Sequence, residues 1–169
     1  MKRSILVASV LLLGLNGVMA DPDQVKDTQA MMKGNGKNAA ALSAIVKGEK
    51  PYDQATVDAA LAQFDDTANK LPKLFPVSIK GKTFEGDYSP SAKIWEDQAG
   101  FNDHIASFAK AVSAAKGKIK DVDSLKAELG IIGKQCGGCH ETFRIKKTGR
   151  AIWRTSIWPN KESQIQIKK

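Results

Sequence analysis

Cys136-Gly137-Gly138-Cys139-His140 brings two thiols and an imidazole into five consecutive residues. Thiols three positions apart on a helix fall on nearly the same side of one turn. There each can form a thioether with one vinyl group of a haem, and the adjoining histidine can present a ring nitrogen to the iron. The chain has no other cysteines. The same side chains could instead hold a metal ion or cycle as a dithiol pair. Either use would have to recruit His104 or carboxylates, and neither gives the cysteines a reason to follow the core register of their helix.

An iron held by His140 has a second axial position, and its occupant separates electron transfer from ligand binding. Outside the first twenty residues the candidates are Met31, Met32 and His104. Met32 continues the inward stripe of its segment, whereas Met31 is rotated from it by about 100°. Methionine on such a stripe is ordinarily core filler, but its sulfur is also a soft ligand for iron. Gly34 and Gly36 lie within a turn of Met32, and each costs a helix about 1 kcal/mol relative to alanine. Close approach of a flat macrocycle would explain them, and so would an irregular helix. His104 stands beside the inward stripe of its segment and reads as a solvated surface histidine. Arg144, one turn after His140, could cover the imidazole or meet a haem propionate. A cation near a helix C-terminus, favoured by the dipole, accounts for it equally well.

Four helical segments would position these groups. The first, about 22–47, carries Val25, Met32, Ala39, Leu42 and Val46 on one stripe, with Thr28 and Asn35 as its polar members. It stops at Gly48 with Pro51 just beyond. The second, about 53–71, opens on Asp53 as a cap and aligns Val57, Ala60, Phe64, Ala68 and Leu71 before Pro72. A connection rich in proline and glycine, about 72–91, is expected to lack regular structure. The third, about 92–116, repeats Ile94, Gln98, Phe101, Ile105, Phe108 and Val112 at alternating steps of four and three. The fourth starts near Asp123 and aligns Leu125, Leu129, Ile132, Cys136, Cys139 and Phe143, with a helix stop at Thr148-Gly149. Both cysteines are therefore in phase with an apolar face. Two short links and one long one predict an all-α fold, an antiparallel up-down-up-down four-helix bundle spanning residues 21–147. A haem wedged into it replaces core side chains, so the haem-free protein should be loosened at that end.

Haem is joined to thiols outside the cytoplasm, and the first twenty residues meet that requirement. Lys2 and Arg3 precede an apolar run from Ile5 to Leu15, and Val18-Met19-Ala20 suits signal cleavage. The run is short for a membrane anchor and is interrupted by Asn16-Gly17. Export to a bacterial periplasm, with the mature chain starting at Asp21, is the expectation. The remaining residues, about 150, suffice for one domain. The formal charge of +8 includes Lys2 and Arg3. Five of the basic residues, against Glu162 alone, fall in 148–169. The high isoelectric point is therefore mostly a property of the tail and gives little support to nucleic-acid binding. That tail has no helical period and reads as a poorly ordered extension. Its Trp153 and Trp158 also suit it to docking on an acidic partner or an anionic membrane surface.

With Glu141-Thr142-Phe143-Arg144 after the thiol motif, the chain resembles the class II c-type cytochromes, which include cytochrome c-prime and the cytochrome c-556 type. Lys47-Gly48-Glu49, Tyr52-Asp53-Gln54 and Leu71-Pro72-Lys73-Leu74-Phe75-Pro76 belong to the same pattern, as do Lys93-Ile94-Trp95 and Lys118-Ile119-Lys120-Asp121. The likeness covers about 21–147; the tail departs from it. It implies one covalent haem c on Cys136 and Cys139, with His140 as the proximal ligand. At the distal position the c-prime type usually has a non-ligating residue and binds nitric oxide or carbon monoxide. The c-556 type has methionine there and carries electrons. The matching position here is Met32. The resemblance thus implies a non-enzymatic electron carrier with periplasmic redox partners, as monomer or homodimer. A gas-binding protein with an open or displaceable sixth position is the alternative.

Overall fold

A computed structural model describes residues 22–82 and 84–147; residues 1–20, expected to be an export signal, and 148–169, expected to be a docking tail, lie outside the described residues. Four long helices dominate: α1 (Pro22–Val46), α2 (Gln54–Lys70), α4 (Gln98–Lys116) and α5 (Val122–Phe143). A single-turn helix, α3 (Lys93–Glu96), precedes α4, and two short strands, β1 (Tyr88–Pro90) and β2 (Arg144–Lys146), complete the elements together with 3-10 turns at Leu71–Lys73 and Val77–Ile79. Packing runs in a ring, α1 on α2, α2 on α4, α4 on α5 and α5 back on α1. This is the expected antiparallel four-helix bundle.

Helix ends form where local chemistry supplies partners for the orphan backbone groups. Gly48 takes φ +75° after α1, and its neighbour Glu49 donates its amide to the Ala44 carbonyl at 2.9 Å. That wrap satisfies carbonyls of the last turn and needs a residue without Cβ. Asp53 caps α2 by accepting the Thr56 amide at 2.9 Å. Asp121 and Ser124 form a reciprocal capping box at the start of α5.

The stripes converge on two clusters. Leu42, Ile45, Val57, Leu61, Phe64, Val112, Ile119, Leu125 and Ile132 build the main core. Val57, Val112 and Leu125 are completely buried, and each such side chain contributes about 1.5–3 kcal/mol. Leu71, Ile94, Phe101, Ile105 and Phe143 form a second cluster, against which Met31, Met32 and Cys139 pack. The Phe101 ring meets Phe75 and Phe143 edge-on at 5.4 and 5.1 Å.

Three expectations are corrected. The third segment is not continuous: Asp97 leaves helical geometry (φ −129°, ψ 65°) and caps α4 by accepting the Gly100 amide at 2.9 Å. Gln98 consequently points outward and is exposed, rather than continuing the buried stripe. The connection is not wholly irregular, because β1 pairs antiparallel with β2 in the register Tyr88↔Lys146, Ser89↔Ile145 and Pro90↔Arg144. Finally, α5 ends at Phe143, not at Thr148-Gly149, because Arg144 turns to extended geometry (φ −124°, ψ 138°) to enter that ribbon.

Candidate functional site

The bundle is not filled at the end where the second cluster lies. A cavity of about 710 Å³ opens there, within the range of roughly 300–1,000 Å³ typical of cofactor sites. Its walls come from all four long helices and from the connection around Phe84–Pro90. Phe64, Phe101, Ile105, Phe108, Ile132 and Phe143 make most of the lining apolar.

The α5 wall carries Cys136, Cys139 and His140, all partly buried and all lining this cavity. Helical phase puts them there, as the alternation with Leu129, Ile132 and Phe143 predicts. Burial pushes both thiols above their ordinary pKa, and for Cys139 the neighbouring Cys136 adds to the effect. Burial also holds the His140 imidazole below its ordinary value, with the Arg144 charge as a smaller cause. Neutral imidazole keeps a nitrogen lone pair free to bind a metal.

On the α1 wall the cavity is lined by Met32 and not by Met31. Met31 borders a separate depression of α1 and α2, with Asp27, Gln63 and Asp66. Both side chains pack against the second cluster, but only Met32 belongs to the cavity wall. Gly36 also lines the cavity, whereas Gly34 does not; a Cβ on either would meet nothing within 4 Å. Protein packing thus gives no reason for either glycine.

His104 is not the solvated surface histidine its register suggests. It lines the cavity, meets the Phe143 ring edge-on at 5.6 Å and lies beside Gly138, between the two cysteines. Arg144 lies over the Tyr88 ring at 4.2 Å while also bordering the cavity. This contact arises from the ribbon and was not predicted.

Sequence reasoning missed other residues too. Gln29 on α1 donates from Nε2 to the Glu85 carbonyl at 2.8 Å, and Lys147 donates to the Phe84 carbonyl. These bonds tie the connection across one side of the cavity. Backbone carbonyls are their acceptors, so no side-chain pattern announces them. Thr67, buried on α2, donates to Asn35 on α1 at 3.0 Å, also on the cavity wall. Asn35 was visible as a polar interruption of an apolar stripe, but its partner was not.

The donor set suits a haem. Two thiols and a neutral imidazole share one wall, a thioether lies on another, and the space between is large and apolar. Among the described residues no group of three histidines, cysteines, aspartates or glutamates could hold a metal ion. Thioether-bound haem in a four-helix bundle, with the attachment motif on the last helix, defines the class II type of cytochrome c.

Comparison with known proteins agrees. The sequence model of the Cytochrome C' family matches residues 23–144, and the chain belongs to that family. Cytochrome c-556 of Rhodopseudomonas palustris is 60% identical over 148 residues, which are 87% of this chain and 99% of that protein. The NMR-validated structural model for oxidized cytochrome c556 of Rhodopseudomonas palustris has 61% identity and a TM-score of 0.69, covering 76% of this chain and 100% of its own. Cytochrome c' from the same organism has 40% identity and a TM-score of 0.69, with the same coverage. The protein is thus a c-type haem protein of the electron-transport class, with one covalently bound haem c; Cys136 and Cys139 suit its attachment.

Proposed function

We propose that the protein carries single electrons in a periplasm, with Cys136 and Cys139 as the haem thioethers and with His140 and Met32 as the axial ligands. The observation that carries this reading is that Met32 lines the cavity shared with His140, whereas Met31, though packed against the same apolar cluster, does not. When bound, the haem supplies a one-electron ferric–ferrous couple. The chain supplies everything else. Both ligands come from long packed helices, which limits their movement when the charge at the iron changes. The apolar lining restricts water, and a thioether opposite an imidazole raises the potential relative to two imidazoles. Arg144 is positioned to meet a propionate or to shield His140, with Tyr88 steadying its guanidinium. No acid–base residue is required, and the reading is of a carrier and not an enzyme.

Residues 1–20 act as the export signal in this reading, so purified periplasmic protein should begin at Asp21. The partners are periplasmic redox proteins, met as a monomer or homodimer. The basic tail assists docking on an acidic partner or an anionic surface. Deleting 148–169 should then weaken association in a salt-dependent way; equal affinity at low salt would discard that role.

Gas binding at a displaceable sixth position is the second reading, favoured by the likeness to a cytochrome c prime of Alcaligenes xylosoxidans solved as its nitric oxide complex, at 26% identity and a TM-score of 0.62. One absorption spectrum of the reduced holoprotein separates the two. A sharp low-spin band supports His/Met ligation, and a broad high-spin spectrum supports the open site. Met32→Ala should convert the first into the second. A variant that stays low-spin defeats the Met32 assignment and turns attention to Met31 and His104.

A further inference from the structure

Asn35 interrupts the apolar stripe of α1, and electron carriage gives it no task. It follows Met32 by three positions, which places both on one face of the helix, and both line the cavity. Facing it on α2 is Thr67, a polar residue only 1% exposed. The Thr67 hydroxyl shares its one hydrogen between two acceptors, Asn35 Oδ1 at 3.0 Å and the Gln63 carbonyl at 2.9 Å. With its oxygen held there, the amide turns Nδ2 away from Thr67. Among the described residues Nδ2 has no hydrogen-bond partner. Ala39, Phe64 and Phe108 are among the apolar residues of the same cavity wall. A donor with fixed orientation therefore stands in a largely apolar space, one turn from the sulfur assigned to the iron.

We propose that Asn35, held by Thr67, donates a hydrogen bond to a small anionic or dipolar ligand that takes the sixth iron position when Met32 vacates it. The proposal rests on Met32 being the distal ligand. Distal hydrogen-bond donors decide which small molecules a haem retains. In a dry, low-dielectric cavity, such a bond is stronger than it would be in water. A donor should favour ligands that carry negative charge and leave an almost non-polar one unaffected. Asn35 then determines which molecules can exploit the loss of the methionine, and Thr67 is the residue that positions it.

The test uses the haem-loaded Met32→Ala protein, titrated with azide in the ferric state and with carbon monoxide in the ferrous state. Adding Asn35→Leu should weaken azide binding about tenfold, the loss expected for a hydrogen bond to a charged acceptor. Carbon monoxide affinity should stay the same. Adding Thr67→Val, which keeps the amide but releases it, should weaken azide by a smaller factor and again spare carbon monoxide. An azide affinity unchanged by Asn35→Leu overturns the proposal. Equal losses for both ligands also overturn it, since they report altered packing. Tighter azide binding overturns it as well, because the amide would then be presenting its oxygen. If Met32→Ala itself stays low-spin and binds no azide, the Met32 assignment fails and this proposal falls with it. An open site indifferent to Asn35 leaves Met32 in place and removes only the donor.

Discussion

Replacing Gly100 with alanine tests whether α4 begins where it does because of Asp97. A Cβ on Gly100 would lie 2.3 Å from Asp97 Oδ2, 2.8 Å from Cγ and 2.9 Å from Oδ1. The carboxylate would have to withdraw and give up its bond from the Gly100 amide. Losing such a cap costs about 1 kcal/mol. Alanine regains as much as about 1 kcal/mol over glycine in a helix, so the single variant should change stability little. The cycle with Asp97→Ala is the informative measurement. In the native background Asp97→Ala should cost about 1 kcal/mol, equivalent to roughly 3–5 °C in melting temperature for a domain of this size. In the Gly100→Ala background it should cost almost nothing, because the cap is already lost. Urea unfolding of the four holoproteins, followed by helical circular dichroism, gives the coupling directly. A coupling near 1 kcal/mol supports the reasoning. If Asp97→Ala costs the same in both backgrounds, the absence of a Cβ at residue 100 is not what makes room for the cap, and the account is wrong.

Leu125 is completely buried in the main core and does not line the cavity. Leu125→Ala should cost about 2–5 kcal/mol in urea unfolding while leaving the haem spectrum intact; a changed spectrum would show that the two ends of the bundle are not independent. Asp53 and Asp121 are held below the ordinary carboxylate pKa by the Thr56 and Ser124 hydroxyls, with the amides of the same residues adding to the effect. A depressed folded pKa means their stabilisation is present above the unfolded value, about 3.9, and is lost as pH falls through the folded one. Asn at both positions keeps a capping side chain but should make the acid limb of stability shallower; an acid titration as steep as the native one would contradict this. Trp95→Phe removes the 3.0 Å bond from Nε1 to the Phe75 carbonyl while keeping a ring in place. Its expected cost is about 1 kcal/mol, and an unchanged urea midpoint would show that the bond contributes nothing.

The stripes were readable because burial repeats with the helix. Val57, Phe64, Phe108, Leu125 and Ile132 lie in the interior at the spacing their positions require, and Cys136 and Cys139 follow the same phase into the cavity. The break at Asp97 escaped notice because Ile94 and Phe101 are both buried although they belong to different helices. Apolar spacing persisted across an interruption set by cap geometry. The ribbon left no signal either: its strands are three residues long, lack alternation, and pair across a long stretch of chain. His104 was misjudged for another reason. A stripe identifies residues that touch a neighbouring helix, whereas a cavity recruits a wider arc of the same helix face. Pairing of Asn35 with Thr67 depends on how α1 and α2 dock, which a one-dimensional pattern does not specify.

The ribbon between β1 and β2 also acts as a mechanical stop. An α-helix packed by an apolar stripe can slide along its neighbours, and a slip of one residue advances it about 1.5 Å and turns it about 100°. On α5 that turn would swing both cysteines and His140 off the cavity wall. The helix runs directly into β2, whose pairing has a period of two and flips every side chain when it slips by one. Helix and strand therefore tolerate different displacements, and no small shift satisfies both. Like the two scales of a vernier, they coincide at a single setting, and at that setting the thiols and the imidazole face the cavity.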